Sequence, residues 1–124
     1  MLDLSHKKLE VYKLSMCLVK DIYELTESFP KHELYSLVNQ TRRAAISVSS
    51  NIAEGASRTS PKEKKRYYEI ARSPVAEIDT QIEIAIHLKY YTPKSAIQLE
   101  DTIVSIFRIL SKMISNLNTT IQKI

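Results

Sequence analysis

Two stretches of this chain hold most of the side chains that could do chemistry. The first, "RRAAISVSSNIAEGASR" from Arg42 to Arg58, carries arginines, serines and the only glycine. Its serines and glycine raise the question of a phosphate-cradling loop or a nucleophile turn. "EGASR" has one glycine and no Lys-Ser/Thr partner, which excludes a P-loop, and it lacks the second glycine of a nucleophile elbow. The second stretch, "KEKKR", sets Lys62, Lys64, Lys65 and Arg66 side by side. That chemistry is electrostatic: contact with a phosphate-rich ligand. With Arg42, Arg43 and Arg58 close in sequence, these cations form the candidate nucleic-acid-binding set, and Arg72 lies near them.

Other reactive types stand alone. Cys17 has no histidine near it in sequence and reads as a buried or half-buried structural thiol. Glu83 and His87, four apart on one helical face, could hold a metal, but di-iron bundles need Glu-x-x-His pairs and further glutamates, so no metal and no cofactor is expected. His6 and His32 fall in segments expected to be exposed. No catalytic set emerges, and the chain is expected not to be an enzyme.

The charge distribution strengthens the electrostatic reading. Residues 1–41 carry five lysines against six acids, residues 42–72 eight basic residues against three acids, and residues 73–124 five of each. The excess of +4 therefore comes from the middle of the chain. One cysteine excludes an internal disulfide framework. There is no 18-residue apolar run and no signal-peptide layout, so a cytoplasmic protein without a membrane partner is expected.

These side chains must be positioned by long helices, because one glycine and four prolines in 124 residues leave little turn material. The first is expected over residues 8–28, from Lys8 to Ser28 before "FPKHE", since Pro30 disfavours helical geometry at Phe29. The second, residues 33–54, ends at Gly55, where a helix C-terminus favours glycine. The third, residues 61–90, starts at "SPKE" with Ser60 as N-cap, Pro61 in the first turn and Glu63 completing a capping box. The fourth, residues 93–117, starts after Thr92 as N-cap, with Pro93 leading. Pro74, in "ARSPVAE", should kink or break the third helix. Short links between such helices predict a single all-α domain over residues 1–124, an up-down antiparallel four-helix bundle.

Apolar spacing assigns the faces. Leu99, Ile103, Ile106, Phe107, Leu110, Met113, Ile114 and Leu117 form one core arc in the fourth helix. In the second, Leu34, Leu37, Val38, Thr41, Ala44, Ala45, Val48 and Ile52 form the core stripe, small in its C-terminal half. Arg43, Ser47, Ser50 and Glu54 lie opposite, with Arg42, Ile46, Ser49 and Ala53 on a flank. The first helix has two stripes: Val11, Leu14, Leu18, Ile22, Leu25 and Phe29, and about 100° away Tyr12, Met16, Val19 and Tyr23. So wide an arc calls for a second buried surface, most simply another copy of the chain. Tyr67 is in register with Ala71, Val75, Ile78 and Ile82 and reads as core, which leaves Tyr68 to stack on unpaired bases.

The first turns of the third helix also carry a cost. Cations at the positive end of a helix dipole are unfavourable by about 0.3–1 kcal/mol each, and Lys62 and Arg66 are like charges four apart.

The segments "QTRRAAISVSSNIAEG", "KEKKRYYEIA" and "AEIDTQIEIA" closely resemble the family of small four-helix-bundle proteins encoded in intervening sequences of bacterial 23S rRNA genes, over about Val11 to Leu117. Residues matching its signature are Arg42, Arg43, Ser50, Asn51, Glu54, Gly55, Arg58, Glu63, Arg66, Ala71 and Glu77. The resemblance implies a ring-like homo-oligomer, a pentamer with a basic surface and a central channel, and no catalytic residues. A more distant relative in fold, the accessory protein of diversity-generating retroelements, binds nucleic acid and a reverse transcriptase. The partners implied are other copies of the chain, RNA or another nucleic acid, and a protein such as a reverse transcriptase. Ser73-Pro74 departs from the family pattern, which usually has Gly-Ser there.

Overall fold

The computed structural model describes residues 1–2 and 4–123, the side chain of Lys8 excepted. Four α-helices make up most of it: α1 (Glu10–Glu27), α2 (Asn39–Ser57), α3 (Pro61–His87) and α4 (Ile97–Lys123), with no strand among the described residues. α1 packs on α2 and α4, α2 on α3, and α3 on α4. No helix among the described residues is long and apolar enough to cross a membrane.

The stripes read from spacing meet in one core. Leu18, Ile22, Ala45, Val48, Ile52, Ala71, Val75, Ile78, Ile106 and Leu110 are sealed from solvent. Small side chains let α2 sit close to its neighbours. Ser49, expected on a flank, is buried there and donates a hydrogen bond to Ser15 Oγ at 3.0 Å. Ser15 in turn donates to the Tyr12 carbonyl at 2.6 Å. This chain of hydroxyls joins α1 to α2 with every buried polar group in it paired.

The helix ends correct the expected boundaries. A separate 3-10 turn (Ser5–Lys8) precedes α1, so the first helix starts at Glu10 rather than Lys8. The expected helix over residues 33–54 is entered through a 3-10 turn (Lys31–Glu33) and a π-helical stretch (Leu34–Val38), and α2 then runs on to Ser57. The wider π winding turns Leu34 out to solvent, off the stripe assigned to it. α4 begins at Ile97, after a turn over residues 93–96 in which the Ser95 N–H donates to Thr92 Oγ1 at 3.2 Å. The expected Thr92 cap therefore forms around a turn one step earlier than α4, which continues to Lys123 rather than 117.

Gly55 is not the reversal expected of it. It lies inside α2, and no glycine has a positive φ. A Cβ at this position would lie 2.7 and 2.9 Å from Tyr68 ring carbons and 3.1 Å from Tyr67 Cβ. The glycine is there because α3 comes too close for any side chain.

α3 opens as expected, with Pro61 in the first turn and the Glu63 N–H donating to Ser60 Oγ at 3.4 Å. It is not broken at Pro74, which lies inside the helix. Proline cannot donate to the Ile70 carbonyl. Buried Ala71, Val75 and Ile78 on either side hold the helix through that gap.

α3 ends at His87, short of the expected Tyr90, in a Schellman arrangement. The Lys89 N–H donates to Ile86 O at 3.0 Å and the Tyr90 N–H to Ala85 O at 2.8 Å. Lys89 takes the left-handed position with φ 65°, where glycine is usual. Lys89→Gly is expected to stabilise the protein by about 0.5–1 kcal/mol, the relief of left-handed strain less the unfolded-state entropy of glycine. A raised urea midpoint at unchanged m would show it.

Candidate nucleic-acid interface

The structure divides the seven candidate cations into two groups. Arg42, Arg58 and Lys64 are engaged within the fold, while Arg43, Lys62, Lys65 and Arg66 form no ion pair or hydrogen bond through their side chains among the described residues.

Arg42 lies against α1. Its Nε donates to Thr26 Oγ1 at 2.8 Å, and its Nη2 reaches the Tyr23 carbonyl and Glu27 Oε2, both at 3.3 Å. Its guanidinium also covers the Tyr23 ring at 4.5 Å. A side chain so committed holds α2 on α1 and has little left to offer a ligand.

Arg58 closes the turn between α2 and α3. Its Nη2 donates to Glu54 Oε2 and to the Tyr67 hydroxyl, each at 3.1 Å, and Glu63 lies 4.0 Å from Nη1. The guanidinium is held above its ordinary range, first by the hydrogen bond to Glu54 and then by Tyr67. Lys64 points inward, its Nζ donating to the carbonyls of Gly55 at 3.3 Å and Ala56 at 3.0 Å. These are carbonyls at the C-terminus of α2, where a cation also meets the negative end of the dipole.

Lys62, Lys65 and Arg66 remain together on the first turns of α3, with Lys62 and Arg66 exposed and Lys65 half-buried. Arg43 is exposed on α2, and about 22 Å of helix at ~1.5 Å per residue separates it from Arg58. Sequence proximity had joined these residues; the helix rise separates them.

The aromatic assignment reverses. Tyr68, expected to be free for stacking, is 4% exposed and packs at Gly55, and burial pushes its phenol up. Tyr67, expected in the core, is half-buried with Arg58 over its ring at 4.8 Å. Both tyrosines fit a stripe of spacing three or four above Ala71. The glycine opposite decides which one enters it.

Three isolated residues also change place. Cys17 is exposed, not a buried thiol. His6, expected to be exposed, is buried against the Tyr12 ring with centroids 4.8 Å apart. His32 is exposed as expected, its Nε2 3.3 Å from the Tyr90 hydroxyl, which donates to Glu33 Oε2 at 2.9 Å. That hydrogen bond is the first cause holding the Tyr90 phenol above its ordinary range. Glu83 and His87 share a surface hollow with Ile84 and Leu88, and no group of three metal-ligating side chains occurs among the described residues.

The second stripe of α1 faces outward only in part, with Tyr12 and Val19 packed against the core. Met16 and Tyr23 are 48% and 39% exposed, Tyr12 and Val19 are half-buried, and Ile46 of α2 adds an exposed apolar side chain. A second apolar surface was missed by sequence reasoning. Phe107, assigned to the core arc of α4, is exposed on the α3 side with Arg72 5.6 Å from its ring centroid; Arg72 is held there by a 3.1 Å hydrogen bond to Ser111. Val104, on the same flank and left out of every stripe, was the signal for it.

A family model described as 23S rRNA-intervening sequence protein matches residues 7–112 of the chain. No curated protein matches it.

Proposed function

The chain belongs to the 23S rRNA-intervening sequence protein family, and from that premise we propose that it is a non-enzymatic, oligomeric, nucleic-acid-binding protein of the cytoplasm. Its helices are arranged as an up-down antiparallel bundle, and copies assemble into a ring, for which the family resemblance implies five members. RNA or another nucleic acid is held through phosphate contacts from Lys62, Lys65 and Arg66, with Arg43 as an outlying contact.

One observation supports this reading above the others. Lys64, Arg58 and Arg42 each have carbonyl, carboxylate or aromatic partners, whereas Lys62, Lys65 and Arg66 have none among the described residues, and Lys62 lies in the first turn of α3, where the dipole makes a cation unfavourable by about 0.3–1 kcal/mol. Structural need accounts for the first three and leaves the others for a polyanion.

The triple variant Lys62→Glu, Lys65→Glu, Arg66→Glu tests the proposal, with Lys64 left in place to cap α2. Counterion release through the three clustered contacts alone predicts that wild-type affinity for RNA falls by at least roughly 20- to 40-fold between about 50 and 200 mM salt. The variant is expected to lose most of the affinity and of the salt dependence. Its thermal stability should change little: an acid at position 62 suits a helix N-terminus, while acids at 65 and 66 become like-charge neighbours of Glu69 and Glu63. Equal affinity of the two proteins at both salt concentrations would overturn the reading.

A second reading takes its support from the exposed apolar faces: an interaction scaffold that docks a protein partner such as a reverse transcriptase. A partner retained after nuclease treatment, by the triple variant as well as wild type, would favour it.

A further inference from the structure

A small cavity of about 210 Å³ lies between the N-terminal turn and the junction of α2 with α3, lined by Ser5, His6, Leu9, Ala56, Lys64 and Tyr68. Two of these polar side chains are almost sealed from solvent, Tyr68 at 4% and His6 at 9% exposed. Neither makes a side-chain hydrogen bond among the described residues, and burial alone pushes the Tyr68 phenol up. Buried polar groups are nearly always paired, so two orphans lining one cavity call for an occupant that pairs with both.

The lining sets the charge of that occupant. Lys64 donates to the Gly55 and Ala56 carbonyls, which occupies those acceptors and leaves the third N–H of its ammonium for a ligand. The neutral Tyr68 phenol, an imidazole N–H of His6 and the hydroxyl of exposed Ser5 are further donors. α1 begins at the same place: Leu9 is its N-cap and supplies no side-chain hydrogen bond, so the positive end of an 18-residue helix adjoins the cavity. Among the described residues no carboxylate lines it, and Glu10, the acid in that first turn of α1, is exposed outside it. A cation would meet Lys64 and the helix dipole, and an apolar ligand would leave the phenol and imidazole unpaired. An oxyanion with several acceptor oxygens satisfies all four polar side chains. The space is smaller than the ~300–1,000 Å³ of pockets for drug-sized ligands, so it excludes a whole nucleotide and admits a phosphate group.

We infer that this cavity binds a phosphate group, held by Lys64, Tyr68, His6 and Ser5 beside the start of α1. The group is either inorganic phosphate or the terminal monoester of a nucleic acid; the recognition chemistry is the same. The site is separate from the basic turn, since Lys62, Lys65 and Arg66 are not part of its lining.

Titration with inorganic phosphate at constant ionic strength, followed by calorimetry and by the His6 imidazole resonances, tests the inference. Wild type is expected to bind one phosphate per chain and to shift those resonances. Tyr68→Phe removes the hydroxyl and keeps the ring that packs at Gly55; it should weaken phosphate binding about tenfold or more, the worth of a hydrogen bond to a charged group. Ser5→Ala, at an exposed position, is a second variant expected to weaken it by a smaller factor. Neutralising the basic turn with Lys62→Gln, Lys65→Gln and Arg66→Gln should leave phosphate binding within about threefold of wild type, because those side chains lie outside the cavity. Two RNA oligomers of one sequence, one with a 5′-phosphate and one with a 5′-hydroxyl, distinguish the sources. Preference for the phosphorylated end that disappears in Tyr68→Phe assigns the cavity to a nucleic-acid terminus, and equal affinity for the two assigns it to free phosphate. Folded wild type that binds no phosphate at about 10 mM, or Tyr68→Phe that binds it as wild type does, would overturn the inference and leave the RNA reading of the basic turn standing.

Discussion

Pro74→Ala is expected to raise the stability of the protein by about 2–3 kcal/mol. Proline in a helix interior costs about 3 kcal/mol relative to alanine, through the absent N–H and the clash of its ring with the carbonyl four residues back. Here that carbonyl belongs to Ile70, and α3 continues through the defect for 27 residues in all. Proline also restricts the unfolded chain, which returns about 0.4–1 kcal/mol and sets the lower end of the range. A higher urea midpoint at unchanged m is the expected readout. A neutral or destabilising result would mean that the packing of Val75 and Ile78 depends on a bend at Pro74, which alanine would straighten. Position 74 lies more than two turns along α3 from the basic turn at 62–66, so the same variant should leave the proposed RNA binding unchanged.

The number of helices, their order and most of the core were legible in the sequence because burial follows the helical period. Val11, Leu18 and Ile22 in α1, and Leu99, Ile103, Ile106 and Leu110 in α4, are buried where their spacing placed them. Errors fall where two registers fit equally well. Tyr67 and Tyr68 are neighbours, either of which continues a three-four stripe, and Phe107 sits at the edge of an arc whose limits only α3 defines. His6 was misjudged for a different reason: it belongs to a turn with no period of its own, folded against Tyr12.

The candidate site was half legible. Composition located the basic segment, and helix-dipole reasoning singled out the start of α3 as unfavourable for cations. It could not show that Lys64 reaches the last carbonyls of α2, since a four-carbon side chain takes its partner from the helix beside it. The same holds for Arg42, whose partners Thr26 and Glu27 lie on another helix. Charge counts give the number of cations in a segment, while tertiary packing determines how many remain available to a ligand.

Gly55→Ala is expected to destabilise the protein by about 1–2 kcal/mol, against the sign that helix propensity gives. In an exposed helix, Gly→Ala gains about 1 kcal/mol. Here the new methyl would lie 2.7 Å from the ring of Tyr68, so that this buried side chain would have to shift. Overpacking of this kind costs about 1–3 kcal/mol and outweighs the gain. The cause can be isolated with Tyr68→Leu. That substitution is itself destabilising, but with the ring gone Gly55→Ala should become neutral or stabilising by about 0.5 kcal/mol, a coupling that a double-mutant cycle reads directly. If Gly55 served instead as a left-handed helix terminus, alanine would cost the same in both backgrounds. The result bears on the basic turn as well. The Gly55–Tyr68 contact sets how closely α3 lies on α2, and that distance lets Lys64 cap α2 while Lys62 and Arg66 stay in solvent. Gly55→Ala should therefore weaken the proposed RNA binding even where the protein is fully folded, and Gly55→Ala with Tyr68→Leu should restore it in part.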